Sequence, residues 1–339
     1  MITLDYKPLI EDCFAIKNKF GELQPFIFND VQDNYYKTLE LDYPTMQGIR
    51  ENILKGRQFG ISSVIEGLFT ADFIMSELGE IPIIDSDIYS HKDSETDAHI
   101  ARFNLFLNSW LVKSQGGSIK DMEDNPNDVM RLRKAFLKVD NGGEIVGRKR
   151  GAQYHAQTAS AKVSGRGGTK QNIHWSEIAF YPNTEIMNSK KLVVGAEKQV
   201  PQNYGKIFRE STGNLAGDYF ANEYASGKDG LSQFKSRFMA WFTFKDYQQV
   251  PPGGWILPDY YQPLVSQGLA TPDQCYWHYV TTKALEDKEE LREYPTYDYE
   301  AFLYGGKPFF DVDALLFHNK RVIKPLSESM YVSSLSTTN

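Results

Sequence analysis

The sequence predicts an α/β fold in which a central, mostly parallel sheet lies between helices, with a small lid or linker region from about residue 251. Three observations predict it. Residues 51–78 read as strand, glycine-bearing loop and long helix. Strand-like and helix-like segments alternate through residue 208. A second apolar strand, Asn172-Ile173-His174-Trp175, ends in Ser176-Glu177.

Taken in order, residues 8–24 read as a short helical lead. Gln24-Pro25-Phe26-Ile27-Phe28-Asn29-Asp30 is a turn in which Asn29 or Asp30 caps a helix running towards Leu39. After the turn Pro44-Thr45-Met46-Gln47, the run Glu51-Asn52-Ile53-Leu54 is a short strand that ends in the loop Lys55-Gly56-Arg57-Gln58-Phe59-Gly60. Ile61, Val64, Ile65, Leu68, Phe69, Phe73, Ile74 and Leu78 recur at helical spacing, and Gly79 stops that helix. Ile81-Pro82-Ile83-Ile84 reads as a strand, and the acidic segment 85–97 leads into a second helix through Ile100, Phe103, Leu107 and Leu111. Residues 114–128 read as loop, and Asn141-Gly142-Gly143 as a turn between strands. Leu192-Val193-Val194 and Lys206-Ile207-Phe208 read as further strands. Composition shifts at Pro251-Pro252-Gly253-Gly254, beyond which a helix spans Thr271 to Glu290 ahead of Glu293-Tyr294-Pro295 and a Ser/Thr-rich tail. The expected organisation is a core over 1–250 and a lid or linker over 251–339.

Composition narrows the function classes. The 339 residues are 41% hydrophobic and 24% charged, and no run of about 18 apolar residues offers a membrane span. The start lacks a secretory pattern, and Cys13 and Cys275 are too few and too far apart for a disulfide framework or a cysteine zinc site, so a reducing, intracellular setting is expected. A net charge of −7 argues against indiscriminate coating of nucleic acid. A local basic track remains, through Arg131, Arg133, Lys134, Lys138, Arg148-Lys149-Arg150, Lys162, Arg166 and Lys170; it reads either as a solvated face or as a path for DNA. The six histidines show no metal-ligand spacing.

The loop before the long helix has the layout of a phosphate cradle, because backbone N–H groups and the helix dipole at a helix start attract anions. Against the pattern G-x-x-x-x-G-K-[ST], Gly60, Ile61 and Ser62 fill the last three positions and Lys55 stands where the first glycine would be. Ser62 offers a hydroxyl to Mg²⁺, and Lys55 or Arg57 can reach phosphates from the loop's start. The bland alternative is a strand–helix turn whose glycines only satisfy geometry. At the end of the second strand, Glu177 can polarise an attacking water, while Ser176 occupies a position that usually holds aspartate. Glu210-Ser211-Thr212-Gly213-Asn214 follows another strand with hydroxyls and an amide clustered on a turn.

Together these pieces resemble the ATPase of tailed-bacteriophage terminase large subunits, a P-loop NTPase of the ASCE type. Arg57-Gln58-Phe59-Gly60-Ile61-Ser62 matches the family's deviant loop R-Q-x-G-[KI]-[ST], and Ser176-Glu177-Ile178-Ala179-Phe180-Tyr181 resembles its second motif. Glu210 to Asn214 resembles the coupling motif, and Pro25-Phe26 with Gln32 the adenine-recognition segment. Arg166, in Gly165-Arg166-Gly167-Gly168, lies where some members carry an arginine finger. Glu293-Tyr294-Pro295, Glu300-Ala301-Phe302 and Phe309-Phe310 resemble the stretch between motor and nuclease, so the resemblance covers residues 25 to about 310.

The resemblance implies an ATP-hydrolysing motor that moves viral double-stranded DNA into a procapsid, with ATP and Mg²⁺ as cofactors. The nucleotide would lie on Lys55, Gly56, Arg57, Gln58, Phe59, Gly60, Ile61, Ser62 and Ser63, with Phe26 and Gln32 at the base. The metal would lie on Ser62 and Glu177. Lys55 and Arg57 would neutralise phosphates, Glu177 orient the water and Arg166 offset transition-state charge, with Ser211, Thr212 and Asn214 coupling hydrolysis to movement. The implied partners are DNA, a portal protein, a small terminase subunit and further copies in a ring on the portal, without a membrane, in the cytoplasm of an infected bacterium. Too few residues follow Phe310 for a nuclease, so no cutting activity is expected. A helicase-like or remodelling P-loop ATPase, or a catalytically inactive P-loop fold serving as a DNA or portal docking module, are the alternatives.

Overall fold

The computed structural model describes residues 5–159, 168–184, 188–283 and 292–303. Among the described residues, helix α1 (Tyr6–Cys13), the hairpin β1 (Ala15–Lys17) and β2 (Leu23–Pro25), and α2 (Asp30–Asp42) precede the sheet. The sheet and its helices are β3 (Arg50–Lys55), α3 (Ile61–Leu78), β4 (Asp85–Ser90), α4 (Asp93–Ser114), α5 (Ile119–Asp124), α6 (Pro126–Phe136), β5 (Leu137–Asp140), β6 (Glu144–Gly147), β7 (Gln153–Thr158), β8 (Asn172–Ser176), α7 (Ser189–Glu197), β9 (Lys206–Ser211), α8 (Tyr219–Lys228) and β10 (Lys235–Met239). Then come α9 (Gln262–Ser266), α10 (Pro272–Lys283) and a last turn, Glu300–Leu303. The spatial order is β10-β3-β9-β8-β4-β7-β6-β5. Pairing is parallel from β10 to β7 and antiparallel through β6 and β5.

Every residue of β3, β8 and β9 is buried, because these strands are flanked on both sides and covered on both faces, as central parallel strands are. Helix α3 is the centre of the core. It begins at Gly60 and ends on left-handed Gly79, whose N–H bonds the carbonyls of Met75 and Ser76. Nearly all of its side chains are buried, and its acids are paired: Glu66 with His99 and Arg102, Asp72 with Lys206, Glu77 with the backbone N–H groups of Lys149, Arg150 and Ala152. Helix α2 starts where the sequence predicts, Asn29 and Gln32 forming a reciprocal capping box.

Four segments differ from the reading above. The lead at 8–24 is a helix only to Cys13 and then a hairpin, held by Ala15 and Ile16 opposite Pro25 and Gln24. The strand expected at 81–84 begins at Asp85 instead. Pro82 cannot donate to a ladder, whereas Asp85 and Asp87 enter the sheet because Lys170 Nζ lies 2.9 Å from a carboxylate oxygen of each. Residues 114–128 hold α5, with a Ser118–Asp121 capping box, and the start of α6 at Pro126. Leu192-Val193-Val194 is helical within α7, where the Asn188 cap and burial of Leu192 and Val193 outweigh β-branched propensity. Residues 284–290 of the helix expected after Thr271 lie outside the described residues.

The chain through Gly305 forms one unit. Beyond residue 251, Tyr261, Leu264, Ala270 and Cys275 join the same apolar cluster as α3. His278 stacks on Trp241 with centroids 4.3 Å apart and bonds the Tyr294 carbonyl at 2.9 Å.

Candidate functional site

The C-terminal ends of β3, β8 and β9 converge on the start of α3. Lys55 closes β3, and its Nζ lies 2.9 Å from Glu177 Oε1 and 3.4 Å from Glu210 Oε2. Burial opposes the ammonium charge, but the two carboxylates more than offset this and hold the lysine above its ordinary range. Burial likewise pushes Glu210 up, yet the Lys55 charge, then the His174 and Ser62 hydrogen bonds, hold it well below the usual carboxylate range.

The loop from Gly56 to Gly60 is fixed by its backbone. Gly56 N–H donates to the Met239 carbonyl at 3.2 Å and Arg57 N–H to the Glu293 carbonyl at 3.0 Å. Tyr247 donates its hydroxyl to the Arg57 carbonyl at 2.5 Å. Phe59 anchors the turn in the core against Phe244 and Tyr247. Gly60 has φ +72°, which favours glycine, and a Cβ there would lie 2.4 Å from Gln32 Nε2 and push that amide aside.

Glu177 stands at φ 51°, ψ 46°, in the left-handed region. That conformation costs a non-glycine residue about 1–2 kcal/mol, and here it aims the carboxylate at Lys55. Among the described residues other than glycine, positive φ occurs at Met46, Gln58 and Glu177, and two of these are in this site. The second oxygen of Glu177 accepts from the Ser211 hydroxyl and the Thr212 N–H, each at 3.1 Å. Asn214 donates to the Ala179 carbonyl at 2.9 Å and accepts from Arg292 at 3.3 Å. The expected water-orienting and coupling groups are therefore in direct contact.

Other expected residues sit elsewhere. Phe26 is buried in the core, stacked on Phe106 with centroids 5.4 Å apart. The Gln32 amide is consumed locally, donating to the Gly60 carbonyl at 2.9 Å and accepting from Asn29 N–H at 2.9 Å. Phe26 thus packs within the core, and Gln32 buttresses the loop's backbone. Arg57 points outward, 62% exposed, 3.6 Å from Glu293. Arg166 and Lys162 lie outside the described residues. The basic track is partly dismantled: Arg133 pairs with Asp140, Arg148 bonds the Lys134 and Leu137 carbonyls, Arg150 bonds those of Ser76 and Ile81, and Lys170 holds Asp85 and Asp87.

Two residues that the sequence reading gave no site role lie in the site. Glu210 is fully buried and accepts the Ser62 hydroxyl at 2.5 Å, the Ser176 hydroxyl at 3.3 Å and lies 3.2 Å from His174 Nε2. His174, mid-strand on β8, stands edge-on to His99, which bonds Glu66 at 2.7 Å, so a buried polar row links the site to α4. The signal in the sequence was a carboxylate at the head of Glu210-Ser211-Thr212-Gly213-Asn214, read as a turn that follows a strand. As for Mg²⁺, hydroxyl and carboxylate oxygens at a helix start are the hard donors it prefers, and Ser62 with its carboxylate neighbour fits that chemistry.

No family model and no curated protein matches the chain. Among solved structures it is similar to the HK97 bacteriophage large terminase, with 11% identity and a TM-score of 0.50 over 86% of this chain and 54% of that one. It is also similar to the large terminase ATPase domain of a Thermus phage, with 14% identity and a TM-score of 0.44 over 78% of this chain and 97% of that one. The chain spans about half the length of the HK97 protein. The architecture, an α/β fold with a large, mostly parallel sheet flanked by helices, resembles that of the HK97 bacteriophage large terminase.

Proposed function

We propose that this chain is an ATP-hydrolysing motor that drives viral double-stranded DNA into a procapsid. The observation that carries the reading is the contact of Glu177, on its strained turn, with both Lys55 and the Ser211–Thr212 turn. ATP lies on the loop 55–63, its phosphates facing the N–H groups at the start of α3. Mg²⁺, when bound, would neutralise phosphate charge, and Ser62 with the carboxylates beside it would hold it. Lys55 and Arg57 supply positive charge from the loop's start. Glu177 orients the attacking water, and loss of the terminal phosphate frees its carboxylate to re-pair with Lys55, relaxing the Ser211–Asn214 turn.

The finer assignments belong to the same proposal: residues 251–339 as lid and linker, portal protein, small subunit and a homo-oligomeric ring as partners, and the cytoplasm of an infected bacterium as the setting. The exposed Arg131, Lys134, Lys138 and Lys149 are described members of the basic track still open to DNA.

The test is DNA-stimulated ATP turnover in Mg²⁺. Glu177→Gln should lower turnover by roughly 10²–10⁴ while leaving nucleotide affinity within a few-fold. Absence of turnover in the wild type at high concentration, with DNA present, sinks the motor and favours a docking module. If Arg166 serves a neighbouring subunit, mixing inert Arg166→Ala with inert Glu177→Ala protein restores part of the activity; no recovery removes the finger from the mechanism.

A further inference from the structure

Resting on the nucleotide reading above, we infer that Glu210 supplies the metal-organising carboxylate that position 176 lacks, so that the divalent cation of the nucleotide complex is held by Ser62 on α3 and Glu210 on β9. Ser176 and Glu210 are register partners on adjacent parallel strands. The missing negative charge has therefore moved one strand sideways, onto a side chain one methylene longer than aspartate. Its carboxylate comes back to the vacated place: one oxygen accepts both the Ser176 hydroxyl at 3.3 Å and the Ser62 hydroxyl at 2.5 Å.

The other oxygen, Oε2, is buried and accepts no hydrogen bond, although it lies 3.4 Å from Lys55 Nζ. Oε2 is ion-paired with Lys55 but takes no hydrogen bond, so it keeps a lone pair for a second cationic partner. His174 Nε2, 3.2 Å from the first oxygen, fixes the carboxylate from behind, as outer partners of metal sites do. Glu177, by contrast, spends both oxygens on Lys55, Ser211 and Thr212. The two glutamates thus divide the work: Glu210 organises the cation and Glu177 is left for water. Glu210 is a positioning residue; its effect is on the metal, ahead of any effect on chemistry.

The experiment uses the full chain and Mn²⁺ as a paramagnetic stand-in for Mg²⁺. Mn²⁺ affinity in the presence of ADP is read by electron paramagnetic resonance, and ADP affinity is measured separately in EDTA. Glu210→Gln should weaken Mn²⁺ binding roughly 10–100-fold with metal-free ADP affinity unchanged. Adding Ser176→Asp to Glu210→Gln should recover most of the Mn²⁺ affinity, because it returns a carboxylate to the neighbouring strand. Unchanged Mn²⁺ affinity in Glu210→Gln, equal loss of ADP binding with and without metal, or no recovery by Ser176→Asp overturns the assignment. Glu210→Asp keeps the charge that Lys55 faces and gives the same readout should the glutamine variant not fold: weakened Mn²⁺ binding supports the role, unchanged binding overturns it. A wild type that binds ADP in neither condition removes the nucleotide reading and this assignment together, whereas ADP binding with Mn²⁺ affinity indifferent to Glu210 removes only the latter.

Discussion

Helix α3 and strands β8 and β9 carry two buried charge clusters, one at each end, and the two are built differently. At the strand starts, Asp72, Lys206, Asn172 and Tyr6 saturate one another: Lys206 Nζ lies 2.5 Å from Asp72 and 3.0 Å from the Tyr6 hydroxyl, and Asn172 and Tyr6 donate to Asp72 at 2.8 and 2.6 Å. At the strand ends, Lys55, Glu177, Glu210, His174 and Ser62 crowd together with Glu210 Oε2 ion-paired to Lys55 but taking no hydrogen bond, His174 Nδ1 without a hydrogen bond, and Glu177 in a strained conformation. The same three elements therefore close one end and keep the other poised. Saturation gives a unique, rigid arrangement, whereas unspent hydrogen-bonding capacity and backbone strain persist where a ligand repays them.

The largest effect that tests this contrast is on stability at the closed end. Lys206→Met leaves the buried Asp72 without a countercharge, and should cost about 3–5 kcal/mol, measured by denaturant unfolding. Glu177→Gln at the open end should cost under about 1 kcal/mol, since Lys55 keeps Glu210 and surrendering a site carboxylate rarely harms the fold. Equal losses at the two ends would erase the distinction.

Acid comes next, and it acts first outside both clusters. Burial pushes His278 down from 6.5 to about 4, so between those values the unfolded chain binds the proton that the folded chain refuses. Stability should therefore fall as pH drops from 6.5 towards 4, by about 3 kcal/mol in all. His278→Gln should flatten that part of the unfolding profile. The depressed Glu210 adds a separate loss only at lower pH, as the unfolded glutamate takes up its proton below about 4.5.

Gly213→Ala is smaller. A Cβ there would lie 2.0 Å from the Ala301 carbonyl oxygen, and displacing that backbone should cost about 1–3 kcal/mol in thermal unfolding. Smallest is Asn29→Ala, which removes the α2 cap and the bond to the Phe59 carbonyl at 3.2 Å. It should cost about 1 kcal/mol and loosen the loop enough to weaken nucleotide binding.

The open end was the more legible in sequence, because loops announce themselves through glycine and polar residues at fixed offsets. Gly56, Gly60, Ser62 and the stop at Gly79 delimit β3, the loop and α3 to within a residue or so. Glu177 was legible as the end of an apolar strand. Glu210 was not, because all of β9 is buried and a strand buried on both faces has no alternation to say where a side chain points. The closed end was invisible: Asp72 and Lys206 are 134 residues apart, and only the parallel pairing of distant strands brings them together. The same distance effect hid β4, whose aspartates are tolerable in a sheet only beside Lys170.

The stretch from Arg292 to Ala301 touches both loops of the open end through its main chain. The Glu293 carbonyl takes the Arg57 N–H, the Pro295 carbonyl takes the Trp241 N–H at 3.3 Å, and Ala301 packs against Gly213 too closely for any side chain. The stretch thus joins the two turns through main-chain contacts. A displacement of this stretch would therefore reach both turns through the backbone before any side chain rearranges, and under the proposed function that is one route for load to meet the nucleotide.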